Sequence, residues 1–184
     1  MKLNELLEHK QNLLGLKIND QIINQNEKFV GYFNCVKKQL TSLEGCPTQI
    51  DGDFSCLDNK LTSLEYGPLE IDGFYWCSHN KLTQIDGPTI NINGYFRCDF
   101  NKIQSLHNIH KQILKMKGGF YATKNPIKSH VLGLLKIPGL TKVELDNKQV
   151  QNILNKYIKN KESKSLINCQ NELIDLDLDE YAQL

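Results

Sequence analysis

Residues 71–88 read IDGFYWCSHNKLTQIDGP, and the flanking chain repeats this phrase at a step of 21 residues. Cys35, Cys56, Cys77 and Cys98 stand at that step, as do Phe33, Phe54, Tyr75 and Phe96. It also relates Ile50, Ile71 and Ile92; Gly52, Gly73 and Gly94; and Asn59, Asn80 and Asn101. Leu40, Leu61, Leu82 and Ile103 follow it, with Leu43, Leu64, Ile85 and Leu106. So many parallel recurrences mark an internal repeat. A period near 20 is too short for two helices and fits one strand plus a return turn, stacked as a solenoid.

Within the unit, residues 71–77 alternate as a strand with one buried face does. Tyr75 and Cys77 are expected to point inward, and Phe74, Trp76 and Ser78 outward. After Cys77 the spacing lengthens and the chain turns. Pro47, Pro68 and Pro88 close the turn, since proline cannot extend a regular element. Gly52, Gly73 and Gly94 mark places where a side chain would crowd the next coil or where the backbone needs unusual angles.

The run Tyr75-x-Cys77-x-x-Asn80-x-Leu82 resembles the leucine-rich-repeat core Leu-x-Leu-x-x-Asn-x-Leu. DNKLTSLEYGP at 58–68 is similar to the short bacterial and tailed-phage variety of that family. The resemblance covers about residues 29–127. It implies an α/β leucine-rich-repeat solenoid: a parallel β-sheet of four clear repeats and a fifth, degenerate one. In the first repeat Lys38 holds the Asn slot. In the last, Met116, Gly118, Phe120, Ala122, Asn125 and Ile127 fit after a three-residue insertion. So short a stack needs covered ends. Residues 1–28 are read as an N-terminal helical cap, with a helix over 3–14 and a partial coil near 18–26. Residues 128–184 are read as a C-terminal helical cap. In it, Val131, Leu134 and Leu135 suggest a short helix ended by Pro138-Gly139, and 140–145 a short strand. Asp146 is the expected N-cap of a helix through Lys159. A last helix is expected to start at Ser163 or Ser165, with Leu166, Ile167, Leu173 and Ile174.

The chain has 184 residues, 40% of them hydrophobic, and a net charge of +1. No overall field argues for nucleic acid or a membrane. No apolar run reaches a membrane span, and the start, MKLNELLEHKQNLLG, is too polar for a secretion signal. The expected location is the cytoplasm, or the host cytoplasm for a viral protein. The cysteine ladder occupies inward strand positions, so buried free thiols are expected rather than disulfides or metal. Residues 114–164 hold eleven lysines against three acids, whereas 165–184 hold five acids and no Lys or Arg. Pairing between these segments is the first reading.

No phosphate-loop, dinucleotide or zinc-helix motif is present. His107 and His110 stand three apart with no further ligand at metal spacing, and Cys169 reads as a buried helix cysteine. The expectation is a non-enzyme without metal or cofactor. The outward strand positions are richer. Tyr32, Asn34, Phe74, Trp76, Ser78, Tyr95, Arg97, Asp99 and Tyr121, with His79 and Phe100 just past the strands, form the expected partner-binding face. Large aromatic side chains and Arg dominate binding hot spots. The expected partner is a protein. The phage-like repeats suggest a host enzyme, such as a defence factor, that the chain would inhibit. A second copy of the chain is another way to cover the face. The alternative function is a nucleic-acid or nucleotide binder using the Lys-rich segment 115–164.

Overall fold

The computed structural model describes Lys2, residues 28–160 and residues 165–184. The helix expected over 3–14 and the coil near 18–26 lie outside these residues. Among the described residues eleven short strands follow one another: β1 Lys28–Val30, β2 Phe33–Asn34, β3 Gln49–Asp51, β4 Phe54–Ser55, β5 Glu70–Ile71, β6 Tyr75–Trp76, β7 Ile90–Ile92, β8 Phe96–Arg97, β9 Ile113–Met116, β10 Gly119–Tyr121 and β11 Lys142–Glu144. All pairings are parallel, and the chain winds as an α/β solenoid of about six turns.

The solenoid carries two parallel sheets, where a single one was expected. The odd strands β1 to β9 form a five-stranded sheet, and the even strands with β11 form a six-stranded one. The stretch 71–77 is therefore two strands with a corner at Gly73. Hydrogen bonding reverses direction across that corner. Gly73 N donates back to Gly52 O at 2.8 Å, whereas Tyr75 N donates forward to Tyr95 O at 2.9 Å. Between them Phe74 N donates to Asp53 Oδ1 at 3.0 Å. Glycine is required at the corner because successive turns nearly touch. A Cβ on Gly94 would lie 2.5 Å from Gly73 O.

The interior is filled by columns of like residues, the Leu and Ile columns of the repeat among them, and three others tie the turns together. Phe33, Phe54, Tyr75, Phe96 and Phe120 stack with neighbouring ring centroids 4.8–5.9 Å apart. Each ring is fully buried, and burial of one such side chain contributes about 1.5–3 kcal/mol. Cys35, Cys56, Cys77, Cys98 and Ala122 form the second column, and all six cysteines of the chain are free and buried. The third is the ladder Asn59, Asn80, Asn101 and Asn125. Asn80 Oδ1 accepts from Leu61 N at 2.9 Å, and its Nδ2 donates to Cys56 O and Cys77 O at 3.0 and 3.1 Å. The degenerate repeat keeps its rung: Asn125 Oδ1 accepts from Ile103 N at 3.0 Å. The inserted residues are absorbed by a single helical turn, α1 (Ile109–Gln112), and by a bulge at Leu114.

The sheet continues beyond residue 127. A 3₁₀ helix, Val131–Lys136, leads into β11, which pairs with β10. Asp146 Oδ2 accepts from Asn125 N at 3.2 Å and so ends the Asn ladder. With Asp146 so engaged, Asn147 is the N-cap of helix α2 (Lys148–Lys159), its Oδ1 accepting from Val150 N. The outer edge of β11 is closed by side chains of that helix. Asn155 accepts from Val143 N at 2.8 Å and donates to Val143 O at 2.9 Å, and Gln151 accepts from Leu145 N at 3.0 Å. Their amides stand where a further strand would place peptide groups, which blocks edge pairing.

Helix α3 (Ser165–Asp175) buries Cys169 and Leu173, while Ile167 and Ile174 are exposed. Lys156 and Tyr157 of α2 hold Glu172 of α3, each at 2.7 Å. Among the described residues that is the only ion pair between the lysine-rich segment and the acidic tail. No helix among them is long and apolar enough to cross a membrane.

Candidate functional site

The outward side of the six-stranded sheet gathers most of the expected residues because the strands are in register. Asn34, Ser55, Trp76, Arg97 and Tyr121 lie abreast on β2, β4, β6, β8 and β10. Tyr32, Phe74 and Tyr95 precede their strands by one residue. Phe74 stacks on Tyr95 at 5.2 Å with planes 11° apart, and meets Tyr32 and Trp76 edge-on at 6.1 and 5.9 Å. Tyr95 meets Tyr121 at 5.8 Å. Five aromatic side chains from four turns are thus one connected surface. Its rings contact each other by stacked and T-shaped geometries, which are favoured by their quadrupoles.

Arg97 lies within this surface. Its Cζ sits 5.8 Å from the Trp76 ring and 4.7 Å from the Tyr121 ring, and Lys142 Nζ lies 5.3 Å from Tyr121. Cations and rings alternate along Trp76, Arg97, Tyr121 and Lys142, each contact being attractive. Arg97 Nε is 3.3 Å from Asp99 Oδ2. Asp99 is fixed in turn, since its Oδ1 accepts from both Thr123 N and Thr123 Oγ1 at 2.8 Å.

Beside the sheet runs a second row. Lys37, Asp58, His79, Phe100 and Lys124 all have φ of 54–56°. This left-handed conformation disfavours bulky residues. Phe100 adopts it while about half exposed, and its ring stacks on His79 at 4.3 Å and 13°.

Two expected contact residues are not at the surface. Ser78 is 2% exposed and Asp99 8% exposed. Ser55, on the same side of the sheet, is buried as well. Asp99 therefore serves the face from beneath, through Arg97. Asn34 is exposed, and its Oδ1 accepts from Val36 N. Thr123, an outward position of the degenerate repeat, joins the site as the residue that holds Asp99, and Lys142 joins it although the sequence pattern did not select it. Thr123 lies just past the strand in the degenerate repeat, and Lys142 on a strand whose register was not legible.

The lysines of 115–159 do not converge. Lys115 lies on β9 of the five-stranded sheet, Lys142 at the far edge of the six-stranded sheet, and Lys156 on α2. Lys142 faces Glu144 at 3.5 Å, and Lys148 Nζ donates to Leu145 O and Gln151 Oε1.

Burial pushes the thiols of Cys46, Cys56, Cys77 and Cys98 up. That of Cys169 is pushed up to about 12 by burial, with the Glu172 charge adding. A thiol so protonated at neutral pH is a poor nucleophile. The His107 and His130 rings meet edge-on at 4.8 Å, and His130 Nδ1 is 2.9 Å from the hydroxyls of both Ser105 and Ser129. Among the described residues no three His, Cys, Asp or Glu side chains are grouped to hold a metal ion. Comparison with protein-family models, with curated proteins and with solved structures finds no match.

Proposed function

We propose that this chain is a non-enzymatic binding module that grips a partner protein through the outward face of its six-stranded sheet. The observation that carries the reading is the connected surface of Tyr32, Phe74, Trp76, Tyr95 and Tyr121 with Arg97 set into it. Interface centres are rich in these residue types, and truncating such an anchor typically costs about 2 kcal/mol or more. The rings are already packed on one another, so little side-chain freedom is lost on binding. The same packing weighs against the nucleic-acid alternative. Phe74 and Tyr95 turn their faces on each other, and Arg97 lies over Tyr121, which leaves less open ring face for a base to stack on.

The resemblance of the repeats to short leucine-rich repeats of bacteria and tailed phages supports a finer version: a viral protein acting in the host cytoplasm on a host enzyme. That version rests on fold-level analogy. The test is capture of a partner from host lysate, with and without nuclease, by the wild type and by Trp76→Ala with Arg97→Ala. The expected result is a protein that survives nuclease and is lost with the double variant, while circular dichroism stays unchanged. Undiminished capture by a folded double variant would refute the assignment of this face.

A further inference from the structure

The guanidinium of Arg97 is held but not used. Two rings flank it, at 4.7 and 5.8 Å, and Asp99 Oδ2 lies 3.3 Å from Nε, out of line for a hydrogen bond. Asp99 cannot swing closer, because Thr123 holds its other oxygen with two bonds of 2.8 Å. An Arg presents five N–H donors in a planar fork, and here none is hydrogen-bonded to a described residue. The side chain is 37% exposed. An arginine on a surface ordinarily samples many rotamers. This one is clamped by its rings with the outer edge of its fork unpaired among the described residues, the arrangement that receives a carboxylate on two parallel N–H bonds.

The surroundings narrow the ligand. Lys37 is opposed by Asp58 at 3.9 Å and Lys142 by Glu144 at 3.5 Å. The fringe thus carries Asp53, Asp58 and Glu144 as well as Lys37, Lys124 and Lys142, and a polyanion would meet repulsion along with attraction. Around the fork itself the surface is aromatic. A single carboxylate within an apolar stretch matches this pattern, and a chain of phosphates does not.

We infer that the face takes an acidic, apolar segment of its partner, with one Asp or Glu side chain seated on the outer edge of the Arg97 guanidinium between Trp76 and Tyr121. The inference rests on the protein-binding reading above and names the chemistry that reading leaves open. Asp99 acts in it as a positioning residue, setting the fork from below.

The test is selection of a random peptide library on the full chain, followed by calorimetric titration of the selected peptides. The titrations use the wild type, Trp76→Ala, Arg97→Gln and Arg97→Lys. The expected peptides carry Asp or Glu beside aliphatic or aromatic residues. Changing that acid to its amide should weaken binding about tenfold or more, and so should Arg97→Gln. The two changes together should cost no more than either alone. Arg97→Lys, which keeps charge and stem but not the fork, should fail similarly, and it carries the comparison if Arg97→Gln does not fold. Peptides lost in Trp76→Ala but lacking an acid and indifferent to both Arg97 variants would overturn this inference and leave the protein-binding reading standing. Failure to select any peptide sensitive to Trp76→Ala would overturn both. Displacement of the peptides by a short oligothymidylate or by inorganic phosphate would point to a phosphate ligand and overturn the carboxylate. Light scattering that shows a dimer dissolved by Trp76→Ala would mean a second copy of the chain is the occupant, again overturning it.

Discussion

Replacing Asn80 by Leu tests the ladder that ties the turns together, and the structure sets the size of the effect. Asn80 accepts from Leu61 N and donates to Cys56 O, Cys77 O and Ser78 O. The four bonds do not count equally. Cys56 O also receives Asn59 Nδ2 at 2.9 Å, Cys77 O receives Asn101 Nδ2 at 3.1 Å, and Ser78 O receives Asp58 N at 3.0 Å. Those carbonyls keep a partner when Asn80 is lost. The N–H of Leu61 does not, and an orphaned buried donor costs about 1–3 kcal/mol. Thinning of the shared carbonyl bonds adds about 0.5–1.5 kcal/mol, for a total of about 1.5–4.5 kcal/mol. That is a large share of the about 5–15 kcal/mol that holds a typical domain together. Thermal melting followed by circular dichroism should show a midpoint lower by about 5–15 °C, with Asn171→Leu on the exposed side of α3 as the control. Asn80→Leu combined with Asn101→Leu removes both donors from Cys77 O. The pair should therefore destabilise beyond the sum of the single variants. An unchanged midpoint for Asn80→Leu, or strict additivity of the pair, would refute the ladder as described.

Asn155→Leu opens the edge of β11 by removing both bonds to Val143, at a cost of about 1–3 kcal/mol. It should also produce concentration-dependent association in sedimentation, and a variant that stays monomeric would show the edge to be guarded by something else. A chain ending at Pro126 loses β11 and both C-terminal helices, and uncovers the edge of β10 and the buried ring of Phe120. It should be insoluble or molten, and a soluble fragment with cooperative melting would contradict the capping role. Burial lowers the pKa of His110 and His130 below the ordinary 6.5, with the Lys136 charge adding at His110 and His107 at His130. The unfolded chain then takes up protons first, so this contribution to stability is intact above about pH 6.5 and declines as pH falls below it. Melting points should drop between about pH 7.5 and pH 5.5, and drop less in His110→Gln with His130→Gln. An equal drop in that variant would assign the pH dependence elsewhere.

The sequence by itself determined the period, the inward columns and the outward aromatic face. Each depends on a local rule repeated every 21 residues. Alternation within a short strand tells Tyr75 from Phe74, and repetition at a fixed step tells that Phe54 and Phe96 lie beside Tyr75. Only the tertiary structure decided the rest. Gly73 had two readings, crowding or unusual angles, and the contact of its Cβ position with the turn before it makes crowding the answer and turns one expected sheet into two. Ser78 and Asp99 alternate outward like Trp76, yet they are buried, Asp99 with one oxygen on Thr123 and the other toward Arg97, contacts between turns that alternation along one strand does not contain. Asp146 looked like a helix cap and is the last rung of the Asn ladder, since the nearest backbone N–H needing an acceptor was that of Asn125. Asn155 and Gln151 carry no strand signal at all. They complete the sheet from a helix because a side-chain amide presents the same donor and acceptor as a peptide group. Whether it meets a strand edge is set by where the helix packs, not by its neighbours in sequence.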